Sequence, residues 1–313
     1  MKFTQLCYLP IWYLKNVIFR QHGPLQTVLF VTDYCNLKCK HCFEMGHQCK
    51  EMKPIDKIRE ELIYAHSMGS RFLDLEGGEP TIYRYTDENG RTYDINDVIA
   101  LAKECGFNSV TITTNAQMPF EWVKANFVWV SLDGFREYHD AVRGEGAFAK
   151  LEENVRRYHE LAKDEKGRPR RLGANIAVNN INKDSVRDTL MYVKDSPYLD
   201  SIAVNFHTPY PGTEELMLSM EDRCRIIDEV IELKKAGCPV QNSVSGLKIM
   251  KRRGFKKNCW ISNFIITDGT RFRACPGETL GICDDCGFCM AGEMYAVMHL
   301  KPDTLIAGMK LRL

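Results

Sequence analysis

The chain has 313 residues, 44% hydrophobic and 27% charged, with 42 basic against 41 acidic side chains and a net charge of +1. That length suits one large domain, or a domain with an appendage, and it buries enough surface that cysteines are not needed to rescue a small core. The near-neutral balance supplies no basic field for nucleic acid and no acidic tail for a basic partner.

Residues 1–24 open with MKFTQLCYLPIWYLKNVIF, an amphipathic, aromatic segment. Pro10 and Lys15 break its apolar run and no small-residue cleavage site follows, so it reads neither as a signal peptide nor as a span, which needs roughly 18 continuous apolar residues. It is a helix packed on the core, or an interfacial element whose Tyr8, Trp12 and Tyr13 touch a membrane or a lipid-like substrate. Thirteen cysteines, an odd count, argue against a secreted disulfide framework and for a reducing, cytoplasmic setting, with peripheral membrane contact through this first segment as an option.

From Thr27 onward, strand-like and helix-like patterns alternate. Strands are expected at 27–31, 71–76, 109–114, 127–132, 171–178 and 201–206, mostly apolar on both faces. Helical faces follow at Ile55, Ile58, Leu62 and Ala65; at Ile95, Val98, Ile99, Ala102 and Cys105; at Phe148, Leu151, Val155 and Tyr158; and at Ile227, Val230, Ile231 and Lys234. Gly69, Gly106 and Gly237 stand where three of these helices should stop. Six β-then-α units over 25–240 predict an α/β fold whose parallel sheet curls into a barrel or part of one, with its chemistry at the strands' C-terminal ends. Beyond residue 240 the alternation is lost, and 241–313 read as a small cysteine-rich extension.

Four motifs fall on that one rim. CNLKCKHC (35–42) follows the first strand, GGEP (77–80) the second, TTNA (113–116) the third, and SLDG (131–134) ends the fourth. Cys35-x3-Cys39-x2-Cys42, with His41 just before the third cysteine, resembles the signature of the radical S-adenosylmethionine superfamily, and GGEP resembles its second motif. The likeness covers roughly residues 25–215. It implies a partial (β/α)6 TIM-like barrel and a [4Fe–4S] cluster held by three thiolates. The fourth iron then takes S-adenosylmethionine, whose reductive cleavage yields a 5′-deoxyadenosyl radical.

The resemblance also assigns roles. Glu79 accepts from the cofactor's amino group, with Gly77 and Gly78 letting backbone approach. Ser131 and Arg143 serve its carboxylate and ribose side, Asn115 and Asn175 the ribose, and His41 the adenine. HDAVRGEGAF (139–148) resembles a segment common in enzymes with a C-terminal cluster domain. Zinc held by the three cysteines with His41 or His47 is the competing reading, and it leaves GGEP and SLDG without a reason.

A second constellation, Cys259-x9-Gly269-x5-Cys275 followed by Cys283-x2-Cys286-x2-Cys289, resembles the SPASM or twitch appendages of the superfamily, with one residue more after the glycine. Five cysteines are too few for two fully ligated cubanes, so one second [4Fe–4S] cluster is expected. Cys259 and Cys275 are ligands, two of Cys283, Cys286 and Cys289 complete it, and zinc is again the alternative. The opening segment together with CDDCGFCMAGE (283–293) bears a looser likeness to the radical enzyme of hopanoid biosynthesis, which points to a hydrophobic, lipid or prenyl substrate.

His207 and Tyr210, in NFHTPYPGTEE, are expected to face the barrel mouth as substrate contacts or hydrogen donors; a loop stiffened by Pro209 and Pro211 is the plainer account. Lys251, Arg252, Arg253, Lys256 and Lys257 form a solvated face or a docking patch for a reducing flavodoxin or ferredoxin. Three kinds of action stay open: on a hydrophobic small molecule, on a peptide, or as a small-molecule dehydrogenase. A zinc-stabilised binding module is the non-catalytic alternative.

Overall fold

The computed structural model describes residues 3–42 and 51–310. His47 and Cys49 lie outside the described residues, as does the side chain of Cys7. The strands are β1 (Gln26–Phe30), β2 (Phe72–Glu76), β3 (Arg84–Thr86), β4 (Thr92–Asp94), β5 (Ser109–Thr114), β6 (Phe127–Ser131), β7 (Leu172–Val178), β8 (Ser201–Phe206), β9 (Ser262–Ile265) and β10 (Arg271–Phe272). Eight of them form one sheet in the order β10-β9-β1-β2-β5-β6-β7-β8, and β3 with β4 makes a separate hairpin. Every pairing from β9 through β8 is parallel. Because the order is linear, the curled sheet is a partial barrel rather than a closed one.

Among the described residues the α-helices are α1 (Phe3–Tyr13), α2 (Ile55–Ser67), α3 (Ile95–Glu104), α4 (Glu137–Arg143), α5 (Ala147–Leu161), α6 (Val186–Asp195), α7 (Met220–Lys235), α8 (Val244–Ile249), α9 (Cys289–Met298) and α10 (Pro302–Lys310). The predicted faces of α2, α3, α5 and α7 are the ones that bury, except that Cys105, which caps α3, and Lys234 on α7 are half-buried. Gly69, Gly106 and Gly237 take φ of 110°, 94° and 93°, the left-handed stop that ends α2, α3 and α7.

The strands differ from expectation in one respect. Leu73, Leu75, Val110, Ile112, Val128, Val130, Ile176, Ile202 and Val204 bury outward against the helices. The alternate positions, Asp74, Glu76, Thr111, Thr113, Trp129, Ser131, Asn175 and Asn205, are half-buried. Strand register places them on one continuous face, with Asp74 beside Thr111, Thr113 beside Trp129, and Ser131 beside Asn175. The strands are therefore not apolar on both faces. The inner face lines a half-buried lumen, where polar side chains pair with one another, as Thr111 Oγ1 does in donating to Asp74 Oδ1 at 2.7 Å.

Residues after 240 contribute to the same sheet. β9 lies parallel on β1, with Gln26 opposite Ser262, and β10 returns antiparallel on β9. At the other end of the strands, α1 runs into a π-helical turn (Leu14–Ile18), and Trp12 stacks on Trp260 with centroids 6.0 Å apart. Among the described residues no helix is long and apolar enough to cross a membrane.

Candidate active site

The cysteine loop leaves β1 and is held by the turn after β2. Gly78 N donates to Thr32 O and Glu79 N to Tyr34 O, both at 2.8 Å. A Cβ at Gly77 would sit 2.2 Å from Thr32 O, and one at Gly78 2.2 Å from Tyr34 O. Only glycine admits that approach. The paired glycines thus make room for the chain's own backbone leading into Cys35, where a close approach to cofactor was expected.

Glu79 is likewise engaged within the protein. It is 1% exposed, and its carboxylate accepts from Thr81 N, Thr81 Oγ1, Thr114 Oγ1 and Asn115 N at 3.1, 2.6, 2.7 and 2.7 Å. It ties the turn after β2 to the end of β5. Asn115 reaches back to the cysteine loop, its Nδ2 donating to Asn36 Oδ1 at 2.8 Å and lying 3.5 Å from Cys35 Sγ.

Donors converge on the sulfurs. Leu37 N lies 3.4 Å and Asn115 Nδ2 3.5 Å from Cys35 Sγ, while Arg143 Nη1 lies 3.7 Å from Cys39 Sγ. Burial pushes the Cys35 and Cys39 thiols up, and the Arg143 cation draws Cys39 back down. Donors aimed at sulfur suit a thiolate, the form that ligates iron. The donor set therefore fits a cluster at this loop.

Beneath the loop sits Asp133, 1% exposed. Its Oδ2 accepts from Arg143 Nε at 2.6 Å, its Oδ1 accepts from Ala177 N at 2.8 Å, and His41 Nε2 stands 3.5 Å away. Burial lowers the His41 imidazole to about 4, Asp133 opposing, so the ring is neutral at physiological pH. The segment 139–148 explains itself here. His139 Nδ1 accepts from Asp133 N at 3.1 Å, and Asp140 caps α5 by accepting from Gly146 N and Phe148 N at 2.9 and 2.8 Å. Arg143 is thereby aimed at Cys39.

Ser131 and Asn175 face each other across β6 and β7, and Asn205 Nδ2 donates to Asn175 Oδ1 at 2.8 Å. His207 and Tyr210 are buried, at 4% and 6% exposure, and His207 Nε2 pairs with Thr213 O and Oγ1 at 2.9 and 3.0 Å. Their loop is packed rather than open at the mouth.

The second thiol set adjoins β8. Phe206 N donates to Gly287 O, Gly287 N to Thr208 Oγ1, and Cys289 N to Asn205 Oδ1, all at 2.9 Å. Burial pushes the Cys259 thiol up to about 12, and Cys286, Cys275 and Cys283 add to the rise as neighbouring charges. Cys289 is 1% exposed, and its neighbouring charges are Glu293, Arg223 and Cys286. Arg223 is 3% exposed and donates to the carbonyls of Cys286 and Asp285 at 3.1 and 3.3 Å, while its Nε has no partner.

Three groups were not singled out by sequence reasoning. Asp133 was visible inside SLDG, where Ser131 drew attention instead. Asp74 and Glu76 were legible as two acids spaced i, i+2 in an otherwise apolar strand. Arg223 lies among the regular apolar positions of α7 and gave no signal.

The Radical SAM superfamily profile matches residues 29–193. The chain belongs to the radical SAM superfamily. It is an α/β enzyme of that superfamily, whose cofactors are a [4Fe–4S] cluster and S-adenosylmethionine. Fe-coproporphyrin III synthase of Methanosarcina barkeri is 28% identical over 234 residues, 67% of this chain and 53% of that protein. GTP 3′,8-cyclase of Mannheimia succiniciproducens is 26% identical over 186 residues, covering 54% of this chain and 50% of its own. This radical SAM enzyme thus spans about half the length of the curated relatives it matches. Among solved structures, SuiB of Streptococcus suis bound to its precursor peptide SuiA superposes with a TM-score of 0.63 over 95% of this chain and 69% of its own, at 16% identity. anSMEcpe, solved with AdoMet and a peptide, does so with 0.59 over 90% and 81%, at 15%. These two likenesses carry the fold. The hopanoid likeness finds no counterpart among these relatives.

Proposed function

We propose that this radical SAM enzyme abstracts hydrogen from a polar, hydrogen-bonding substrate, a small molecule or a peptide side chain, seated in the barrel lumen. The observation that carries the reading is the lumen's lining: Asp74, Glu76, Thr111, Thr113, Ser131, Asn175 and Asn205 on one accessible face. That lining weighs against a lipid or prenyl substrate and against adenosyl addition to an alkene, since an apolar substrate would offer these groups no hydrogen bonds beyond those they make with one another, such as Thr111 to Asp74 and Asn205 to Asn175. SuiB's peptide complex keeps a peptide substrate among the candidates.

Cys35, Cys39 and Cys42 hold the first cluster in this reading. When bound, the cluster and S-adenosylmethionine together supply a carbon radical able to take hydrogen from an unactivated C–H bond. The chain's own residues bind, orient and exclude water. Arg143 and Ser131 offer donors to the cofactor's carboxylate, the first fixed by Asp133. The turn of Gly77 and Gly78 presents backbone toward the amino group, with Glu79 fixing that turn. The Asn175–Asn205 pair faces the ribose, and His41 stays neutral near the adenine. His207 and Tyr210 support the loop after β8 from within, His207 through its pairing with Thr213.

A second [4Fe–4S] cluster is proposed at Cys259, Cys275, Cys283 and Cys286 in the 241–310 extension, because those four thiols neighbour one another. Cys289 is the fifth thiol, buried with Glu293, Arg223 and Cys286 as its neighbours. Among the described residues no three His, Cys, Asp or Glu side chains are arranged to hold one metal ion. A cubane, taking one thiolate per iron, does not ask for that arrangement. The electron donor is a flavodoxin or ferredoxin, whose acidic face would meet Lys256 and Lys257; Lys251 and Arg253 are already paired with Asp228 and Asp285.

The test is anaerobic reconstitution, reduction, and chromatography of the products with S-adenosylmethionine and candidate substrates. Expected are about eight iron atoms per chain and 5′-deoxyadenosine whose yield rises with polar substrates. An adenosylated lipid product, or full turnover by the Cys42→Ala chain, would sink the reading.

A further inference from the structure

The N-terminal helix carries its apolar stripe on the outside. Tyr8, Trp12 and Asn16, spaced four apart, face the barrel base. The Tyr8 hydroxyl donates to Gly69 O, Trp12 Nε1 to Pro24 O at 3.3 Å, and Asn16 Oδ1 accepts from Gly23 N at 2.6 Å. Leu14, Ile18 and Phe19 lie on the other side and are 48%, 59% and 66% exposed, while Ile11, 50% exposed, lines the rim of the cavity beneath the helix. Leu14 and Ile18 are one turn apart. A helix that docks only on its own domain turns such residues inward. Here hydrogen-bonding side chains occupy the inner face and three large apolar ones meet solvent on the outer face.

Charge says what covers them. No acidic residue precedes Asp33, while Lys15 and Arg20 flank the apolar residues. Between the helix and the barrel base lies a cavity of about 970 Å³ whose lining includes Lys15, Arg71, Arg271 and Arg273 and no carboxylate. Arg71 donates to the carbonyls of His66 and Ser70, and the Arg271 guanidinium lies 3.8 Å from the Tyr64 ring centroid, so both are held in place without an ion pair.

We propose that this base is a docking surface for an anionic lipid bilayer. Leu14, Ile18 and Phe19 enter the acyl boundary, and Lys15, Arg20 and the arginines around the cavity meet lipid phosphates. Pro24, Gly69 and Arg71, which line the cavity, precede β1 and β2, whereas the cysteine and glycine motifs follow those strands. The bilayer therefore lies at the end of the barrel opposite the reaction chamber, whose mouth is left facing water. The inference is independent of the substrate and of the second cluster.

The experiment is co-sedimentation of the full chain with phosphatidylcholine vesicles, with and without phosphatidylglycerol. Binding is expected only with phosphatidylglycerol and should fall as salt rises. Ile18→Ser with Phe19→Ser, and separately Ile18→Glu with Phe19→Glu, should weaken it at least tenfold, and Lys15→Glu or Arg20→Glu about fivefold each. These four positions are exposed, so circular-dichroism melts should match the parent. Equal binding to both vesicle types, or unchanged binding by either double variant, overturns the proposal. So does a concentration-dependent dimer in lipid-free sedimentation that the double variants abolish, which would give the face to a second copy.

Discussion

Arg143 and Asp133 form a buried ion pair, Nε to Oδ2 at 2.6 Å with side chains 9% and 1% exposed, and the same guanidinium lies 3.7 Å from the Cys39 sulfur. Asp133 holds the Arg143 guanidinium while also fastening β7 through Ala177 N. Asp133→Asn leaves a buried cation unpaired. The apo chain should lose about 3–5 kcal/mol in urea denaturation, and the reconstituted enzyme should bind S-adenosylmethionine more weakly. A loss below about 1 kcal/mol would place the pair among surface-like bridges.

Gly78→Ala tests the account of the paired glycines. Its methyl would lie 2.2 Å from Tyr34 O and 2.5 Å from Asp33 O, so the cysteine loop must move. Overpacking of this kind costs about 1–3 kcal/mol. The sharper consequence is iron at the first site falling several-fold in a colorimetric assay, with far-ultraviolet circular dichroism retained. Parent-like iron content would show that the loop tolerates the shift.

Asp74 and Glu76 share the lumen face, and burial raises both carboxyls, Asp74 adding to the rise at Glu76. A carboxyl raised in the folded state binds more protons there than in the unfolded chain. Its stabilising contribution is complete below the unfolded value, about 4, and is lost as pH climbs through the folded one. The apo melting temperature should therefore decline over that window, and Glu76→Gln should flatten the decline. An identical pH slope in the variant would refute the assignment. Asp74→Asn should leave cofactor cleavage intact but reduce its stimulation by substrate.

Arg223 separates the second cluster from ordinary packing. Its guanidinium meets two carbonyls and the Phe206 ring, 5.4 Å away, with the Cys289 and Cys286 thiols and Asp285 as its neighbours. Arg223→Met keeps the volume and removes a costly buried charge, so the apo chain should be no less stable. Iron should fall from about eight to about four atoms per chain, and the lost signal in electron paramagnetic resonance should belong to the second site. Full iron in the variant would mean that the cation has no part in holding the cluster.

Much of this was legible from residues. The six strands from β1 to β8 that lie in the main sheet, the glycine stops after α2, α3 and α7, and the three thiols follow from periodicity and spacing, which local physics dictates; β9 and β10, short and beyond residue 240, did not. The pleat hid the lumen. FLDLE reads as one buried strand, and only curvature reveals that Asp74 and Glu76 look into an accessible interior. Glu79 and Asn115 were recognised as important, but their partners depend on which backbone the loop after β2 approaches, a relation between distant segments. Arg223 was invisible because a buried arginine has the spacing of any other core position.

The pairing of β9 with β1 has a temporal consequence. Thr27 Oγ1 donates to Asn263 Oδ1 across 236 residues of chain. During synthesis the outer edge of β1, with its unpaired amides and carbonyls, emerges from the ribosome long before the strand that covers it. Until then the nascent barrel exposes a sticky flank, and chains cut short before Ser262 are expected to clump rather than stay dispersed.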